Sequence, residues 1–216
     1  MAFFNFLTGS RPALIDLSVR HLSTMLDTAG EMFEASTALL LDNEPLAADL
    51  SEQDQGINAS ESAIRRSVLE HVSVAPNEEL SFSLILVSVV QEAERCGDLA
   101  KNIASVADLA DGPRMGHHVE ALRPIRDRVL ATFPRVRSAF DKDDDSVARA
   151  VMDEHTRTKV DVADYLRRLA SADDLTPNLA VVLATGSRMI GRTSSHLSNI
   201  ISGVALPFDE LRNSPS

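Results

Sequence analysis

Two carboxylates stand four residues apart in an apolar stretch of the chain, at Glu94 and Asp98 of "SVVQEAERCGDLAKNIASVADLA". On a helix these positions share one face, where like charges cost roughly 0.2–0.5 kcal/mol. Either a cation compensates the repulsion, or both side chains point into water. Gly97 favours close approach of a neighbouring helix, because glycine inside a helix costs about 1 kcal/mol relative to alanine.

A second polar row interrupts the apolar face of the preceding helical segment, at Asp54, Asn58 and Glu61. If the two helices are antiparallel neighbours, Asp54 and Glu61 face the Glu94–Asp98 pair. Four converging carboxylates raise one another's pKa values unless cations compensate them. Oxygen-rich clusters of this kind suit Mg²⁺, Mn²⁺ or iron, so the four acids are candidate metal ligands.

A solvated polar edge is the alternative interpretation of the same spacing. In that arrangement the acids pair with nearby cations on their own helices, at Arg65, Arg95 and Lys101. A ferritin-like di-iron oxidase requires Glu-x-x-His pairs on its helices, and this chain has none. The spacing therefore leaves a metal site and a solvated edge open, and it disfavours an enzyme.

The composition favours helices. The 216 residues are 44% hydrophobic but only 4% aromatic, which is typical of a helical bundle. The longest apolar run, "LILVSVV", is too short to span a bilayer, and "MAFFNFL" at the start lacks the basic region of a signal peptide. A single cysteine, Cys96, excludes an internal disulfide framework and fits a reducing cytoplasm.

The charge is unevenly distributed along the chain. Of the net −11, residues 1–110 hold six Lys/Arg against 17 Asp/Glu, whereas residues 111–216 hold 15 of each. An acidic chain is a poor nucleic-acid binder, because neutralisation of phosphates drives that affinity. The acidic half suits cations or a basic partner, and solubility alone is an alternative explanation of its charge.

Helical periodicity and breaker clusters predict an all-α fold with six long antiparallel helices. The second helix should begin at about residue 44, with Pro45 in its first turn, and Asn77 should cap the third. Pro124 and Pro134 should kink the fourth helix or bound its turns. "DGPRMG" at 111–116 is the strongest break, so we predict an internal duplication in outline, with two halves of three helices each. They cover residues 11–110 and 114–205 and are followed by a tail, 206–216.

The motif "EAERCGDLAKNI" at 92–103 resembles the "ERIGDxxxNI" signature of PhoU-type phosphate-uptake regulators. The segment "LAADLSEQDQGINASESAIRR" at 46–66 is similar to the second helix of that family, and the likeness covers about residues 15–205. The resemblance implies that the two halves are tandem three-helix bundles related by a pseudo-two-fold repeat, which hold metal clusters through Glu/Asp-x-x-x-Asp motifs. Carried over to this chain, it assigns metal ligands at Glu94 and Asp98, with Asp54 and Asn58 facing them. It also implies a role in restraining a phosphate-sensing histidine kinase together with the ATPase of a phosphate transporter.

The second half departs from the family pattern. "GRTSSHLSNI" at 191–200 aligns with the motif by its terminal Asn-Ile, which places Gly191 and Ser195 where the first half has its two acids. Upstream, His155 and Lys159 stand where the first half has Asp54 and Asn58, although a register shifted by two residues would use Asp153 instead. We therefore predict at most one metal cluster, in the first bundle.

These observations predict a cytoplasmic, non-enzymatic regulator of phosphate uptake or signalling that binds a divalent or trivalent ion (Mg, Mn, Fe or Zn). Homodimerisation is compatible with the pattern, whereas nucleic-acid binding and a membrane span are not expected. Two alternatives stay open: an accessory protein of a low-affinity phosphate permease, and a metal-free helical adaptor. The adjacent His117 and His118 follow the Gly/Pro joint and are expected to form a solvated turn.

Overall fold

Six helices make up most of the computed structural model, which describes residues 12–76, 78–142 and 144–206. No strand occurs in these segments, which confirms the all-α prediction. None of the helices in them combines the length and apolar character that a bilayer span requires. The helices are α1 (Ala13–Asp42), α2 (Leu50–Val74), α3 (Leu80–Ala107), α4 (His117–Lys142), α5 (Asp145–Ala170) and α6 (Pro177–Ala205).

The helices pack in two groups of three. α1, α2 and α3 all contact one another, and so do α4, α5 and α6. Two further contacts join the groups, α1 against α4 and α3 against α6. Short connections make successive helices antiparallel within each group. This is the two-bundle architecture that the sequence predicts.

One hydrophobic core runs through both groups of helices. Aromatic side chains fill it at the contacts between groups. The rings of Phe33 on α1 and Phe133 on α4 lie 5.6 Å apart, and those of Phe82 on α3 and Phe140 lie 6.1 Å apart. Gly30 on α1 makes room for Phe133, whose Cγ would lie 3.3 Å from an added Cβ. The two groups are therefore packed side by side rather than strung on a linker.

The Gly/Pro joint at 111–116 is tied to the end of α1. Arg114 donates from Nε to the carbonyl of Leu40 (3.0 Å) and from Nη2 to that of Leu39. Its backbone N–H donates to Asn43 Oδ1 (2.9 Å), and Asn43 Nδ2 donates to the Arg114 carbonyl (3.0 Å). α1 carries no basic residue in its last turn, so Arg114 supplies the positive charge that a helix C-terminus favours.

The predicted start of α2 was wrong by several residues. Asn43 adopts a left-handed conformation (φ 59°) that ends α1, and the chain then stays irregular through Pro45. The helix begins at Leu50, where Asp49 accepts a hydrogen bond from the Ser51 N–H (2.8 Å). The Asp49 carboxylate satisfies a backbone N–H at the start of the helix, which the side chain of Pro45 cannot do. This explains the later start.

Other boundary predictions are also adjusted. The N-cap of α3 is Glu79, and the predicted cap Asn77 lies outside the described residues, as does all but the first residue of the predicted tail. Pro124 and Pro134 both lie inside one helix, α4, so neither ends it. The last two helices begin at side-chain caps: Asp144 accepts from the Val147 N–H before α5, and Thr176 accepts from the Leu179 N–H before α6.

Candidate functional site

The two predicted polar rows meet where α2 crosses α3. An added Cβ on Gly97 would lie 2.8 Å from Cδ1 of Ile57 and 3.7 Å from Oδ1 of Asp54. Because real Cβ atoms do not approach so closely, a larger residue here would force the end of the Ile57 side chain to move, and glycine lets that side chain pack against α3. The predicted role of Gly97 in close helix packing is confirmed, and it brings Asp54 beside the α3 motif.

Lys101 lies between carboxylates of the two helices. Its Nζ is 2.7 Å from Asp54 Oδ2 and 3.0 Å from Asp98 Oδ1. Asn58 Nδ2 donates to the same Asp54 oxygen at 3.2 Å. Partial burial alone would lower the pKa of Lys101, but hydrogen bonds to the two acids outweigh it and raise that pKa. The lysine is therefore a firmly charged counter-ion for Asp54 and Asp98.

Glu94 lies on the other side of the motif, in a less favourable environment. Burial raises its pKa above the ordinary value of 4.5, and the charge of Asp98, a hydrogen bond with Asp98 and the charge of Glu61 raise it further. Arg95 offsets this only weakly, with Nε 3.8 Å from Glu94 Oε2, and Glu61 itself pairs with Arg65 at 2.7 Å. The like-charge repulsion inferred from the spacing is thus present.

One oxygen of the cluster has no partner among the described residues. Asp54 is 8% exposed, and its Oδ1 is buried without a hydrogen bond. A buried carboxylate oxygen without a donor costs free energy that a bound cation would offset. The candidate ligand atoms are all oxygens, since Asn58 would coordinate through its amide carbonyl, and an all-oxygen set suits a hard cation. The residues present therefore fit a metal ion, in competition with Lys101.

A different group of ligands is the most convergent in the described part of the chain. His117, His118 and Asp174 offer ligand atoms that all lie within 4.8 Å of one another. His118 Nε2 is 2.9 Å from Asp174 Oδ1, and this hydrogen bond lowers the pKa of Asp174. The four predicted carboxylates do not converge to the same degree. The expected solvated turn at His117–His118 is instead a contact between the α4 N-terminus and the α5–α6 loop.

An open cavity of about 580 Å³ lies between α5 and α6 in the second bundle. It is lined by the four residues that align with the metal-site positions of the first bundle, His155, Lys159, Gly191 and Ser195. No carboxylate of the described residues lines this cavity. His155 is half-buried, and burial together with the charge of Lys159 lowers its pKa.

A buried acid at the first position of the 92–103 motif joins the two bundles. Glu92 Oε2 on α3 accepts hydrogen bonds from His196 Nδ1 (2.9 Å) and Asn199 Nδ2 (2.8 Å) on α6. Asn199 is one of the motif residues that the second half keeps. It thus serves in a contact between the bundles rather than in a second cluster.

The fold and the site define a six-helix protein of two tandem bundles, in which the first bundle carries an acidic motif on two crossing helices. Residues 22–107, which include all of the acidic motif, match the PhoU domain family. This confirms the resemblance that the motif "ERCGD" carried. No curated protein matches the chain in sequence.

Two solved structures share the fold over most of the chain. The crystal structure of PhoU from Pseudomonas aeruginosa has a TM-score of 0.82 and 21% identity, over 89% of this chain and 95% of that one. The phosphate transport system regulatory protein PhoU from Streptococcus pneumoniae has a TM-score of 0.74 and 17% identity, over 88% and 94%. At these identities the likeness concerns the fold alone.

Three residues of these sites were missed from the sequence. Asp174 lies in a loop, and nothing in its local pattern indicates that it meets His118. Glu92 falls outside the i, i+4 motif, although it is more deeply buried than Glu94. Arg188 could have been found, because it stands four residues before Arg192 and forms the same kind of like-charge pair as Glu94 with Asp98.

Proposed function

We propose that this chain is a non-enzymatic, cytoplasmic regulator of phosphate uptake that acts by protein contact. The observation that carries the proposal is the PhoU domain match over residues 22–107, which contains both halves of the acidic site. The proposed partners are a phosphate-sensing histidine kinase and the ATPase of a phosphate transporter. PhoU from Streptococcus pneumoniae, which has a similar fold, is described as a phosphate transport system regulatory protein.

A pulldown tests the partners. The purified chain is immobilised and offered the kinase, the transporter ATPase and a low-affinity phosphate permease from its own organism, with and without chelator. Retention of the kinase or the ATPase is the expected result. Retention of the permease alone would favour the accessory-protein alternative, and retention of none of the three would contradict the proposal.

We further propose that the first bundle, residues 11–110, binds a Mg, Mn, Fe or Zn ion through Glu94, Asp98, Asp54, Asn58 and Glu61. The buried, unpartnered Oδ1 of Asp54 and the mutual repulsion of Glu94 with its neighbours support this site. The ion would displace the ammonium of Lys101 and neutralise the cluster. The second bundle, residues 114–205, keeps a degenerate version of the motif with no ligand role.

Metal analysis of three paired variants tests the site. Glu94→Ala with Asp98→Ala should abolish bound metal, whereas His155→Ala with Ser195→Ala should leave it unchanged. His117→Ala with His118→Ala is the necessary third arm, because that pair also offers ligand atoms beside Asp174. Loss of metal only in the third arm would assign the ion to the α4 terminus. Absence of metal from the wild-type protein would favour the metal-free adaptor.

A further inference from the structure

The cavity between α5 and α6 has a basic rim. Lys159 on α5 and Arg188 and Arg192 on α6 all line it, and all three side chains are exposed. Its wall is apolar and comes from α5, at Val162 and Leu166. The corresponding region of the first bundle, between α2 and α3, carries acids. The local charge therefore has opposite signs in the two bundles.

The three basic side chains of the rim have no acidic partner in the part of the chain that the structure describes. No salt bridge there includes Lys159, Arg188 or Arg192. The acids of α5 that adjoin cavity residues have other partners: Glu154 pairs with Arg135 of α4, Asp161 with Arg128 of α4, and Asp164 with Arg167 of α5. Arg188 and Arg192 stand at i and i+4, an arrangement that is mildly destabilising in the free protein.

Neutral hydrogen-bonding groups complete the site. The Ser195 hydroxyl lines the cavity, and so does His155, whose Nδ1 is 3.0 Å from the hydroxyl oxygen of Ser194. Gly191 lets α5 approach α6 here, because an added Cβ would lie 3.3 Å from Cγ2 of Val162. The missing side chain keeps the floor of the cavity open between the basic rim and the apolar wall.

We propose that this cavity binds a small organic phosphate. Arginine presents a planar fork that pairs with phosphate oxygens through two hydrogen bonds, and lysine adds a point charge. The volume of about 580 Å³ lies within the range of small-molecule sites and far exceeds what a free phosphate ion fills. The phosphoryl group lies against Arg188, Arg192 and Lys159, and the organic part packs on Val162 and Leu166.

A nucleic acid is a poorer candidate for the same site. The chain has a net charge of −11, which repels a long polyanion, whereas a small anion meets only the local positive field. This proposal does not depend on the regulatory partners or on the metal of the first bundle. Its failure would leave both of those proposals standing.

Titration calorimetry in phosphate-free, low-salt buffer tests the site with four probes: ADP, glucose 6-phosphate, adenosine and inorganic phosphate. At least one organic phosphate should bind, more tightly than inorganic phosphate, and adenosine should not. Arg188→Gln with Arg192→Gln should weaken that binding about tenfold or more, as expected for lost charge-assisted hydrogen bonds. The melting temperature of this variant should not fall, because both arginines are exposed and form no salt bridge with any described residue.

The matched control is Arg157→Gln with Arg168→Gln, which removes the same charge from exposed positions of α5 outside the cavity. It should leave the affinity within about twofold, because neither arginine lines the cavity to contact a bound phosphate, and interactions between exposed charges are weak. Equal losses from both double variants would overturn the site. Binding of neither organic phosphate, or equally tight binding of inorganic phosphate or adenosine, would overturn the proposed ligand.

Discussion

Lys101 connects the chemistry of α2 to that of α3 with a single ammonium group. It reaches Asp54 across the helix crossing and Asp98 one turn earlier on its own helix. A lysine in this position performs electrostatically what a bound cation would do, without supplying more than one positive charge. If the proposed ion binds, it would compete with the Lys101 ammonium for Asp54 and Asp98.

Lys101→Met is expected to destabilise the protein in chelator by about 1–3 kcal/mol, because it leaves the buried Asp54 carboxylate without its cation. Added Mn²⁺ should restore most of that loss. Urea unfolding with and without Mn²⁺ measures both effects. Arg20→Met is the control, since its pair with Asp16 is exposed and is worth about 1 kcal/mol or less. If Mn²⁺ does not change the stability of the Lys101→Met protein, the cation site is contradicted.

Glu94→Gln is expected to stabilise the metal-free protein at neutral pH. Because burial and Asp98 raise the pKa of Glu94 above 4.5, the folded state binds this proton more tightly than the unfolded state. Wild-type stability therefore falls as pH rises from that value through the raised pKa, and the variant lacks this loss.

The advantage of Glu94→Gln should be smallest near pH 5 and larger near pH 8, as measured by thermal unfolding in chelator. Glu70→Gln, at an exposed position of α2, should show no such pH dependence. An advantage that is the same at both pH values would show that repulsion within the cluster is not its cause.

At the scale of helices, the sequence predicted the elements better than their ends. Periodicity located all six helices, because each buries one face in the core. The start of α2 was placed too early because Pro45 is a familiar first-turn residue, and only the structure shows that Asp49 provides the cap. Asp174 could not be assigned to a site because a loop residue reveals its partners only through tertiary contacts.

The α2–α3 crossing gives a prediction at two glycines. Gly97→Ala should destabilise the protein, since overpacking against the buried Ile57 costs about 1–3 kcal/mol. Gly56→Ala should stabilise it by about 0.5–1 kcal/mol, because nothing lies within 4 Å of its added Cβ and alanine favours the helix. Urea unfolding compares the two variants. Equal effects would show that the helices do not need the close approach at Gly97.

For the whole molecule, the shared core implies that the two bundles do not unfold independently. The hydrophobic cluster is continuous, and Glu92 with His196 and Asp42 with Arg126 (3.0 Å) link the bundles at two other points. Calorimetric and circular-dichroism melting should therefore give one coincident transition. Two transitions would show that residues 11–110 and 114–205 are separate folding units.

The hydrogen bonds between Arg114 and the end of α1 also affect how readily a protease cleaves the joint at 111–116. Segments rich in glycine and proline are ordinarily among the first to be nicked, and Arg114 is a residue type that trypsin recognises. Its side chain, however, is held by the carbonyls of Leu39 and Leu40, and its backbone by Asn43. Limited trypsin treatment should thus cleave after the exposed arginines of α5 before it cleaves at Arg114. The earliest fragments should therefore still contain an intact joint between the first bundle and α4.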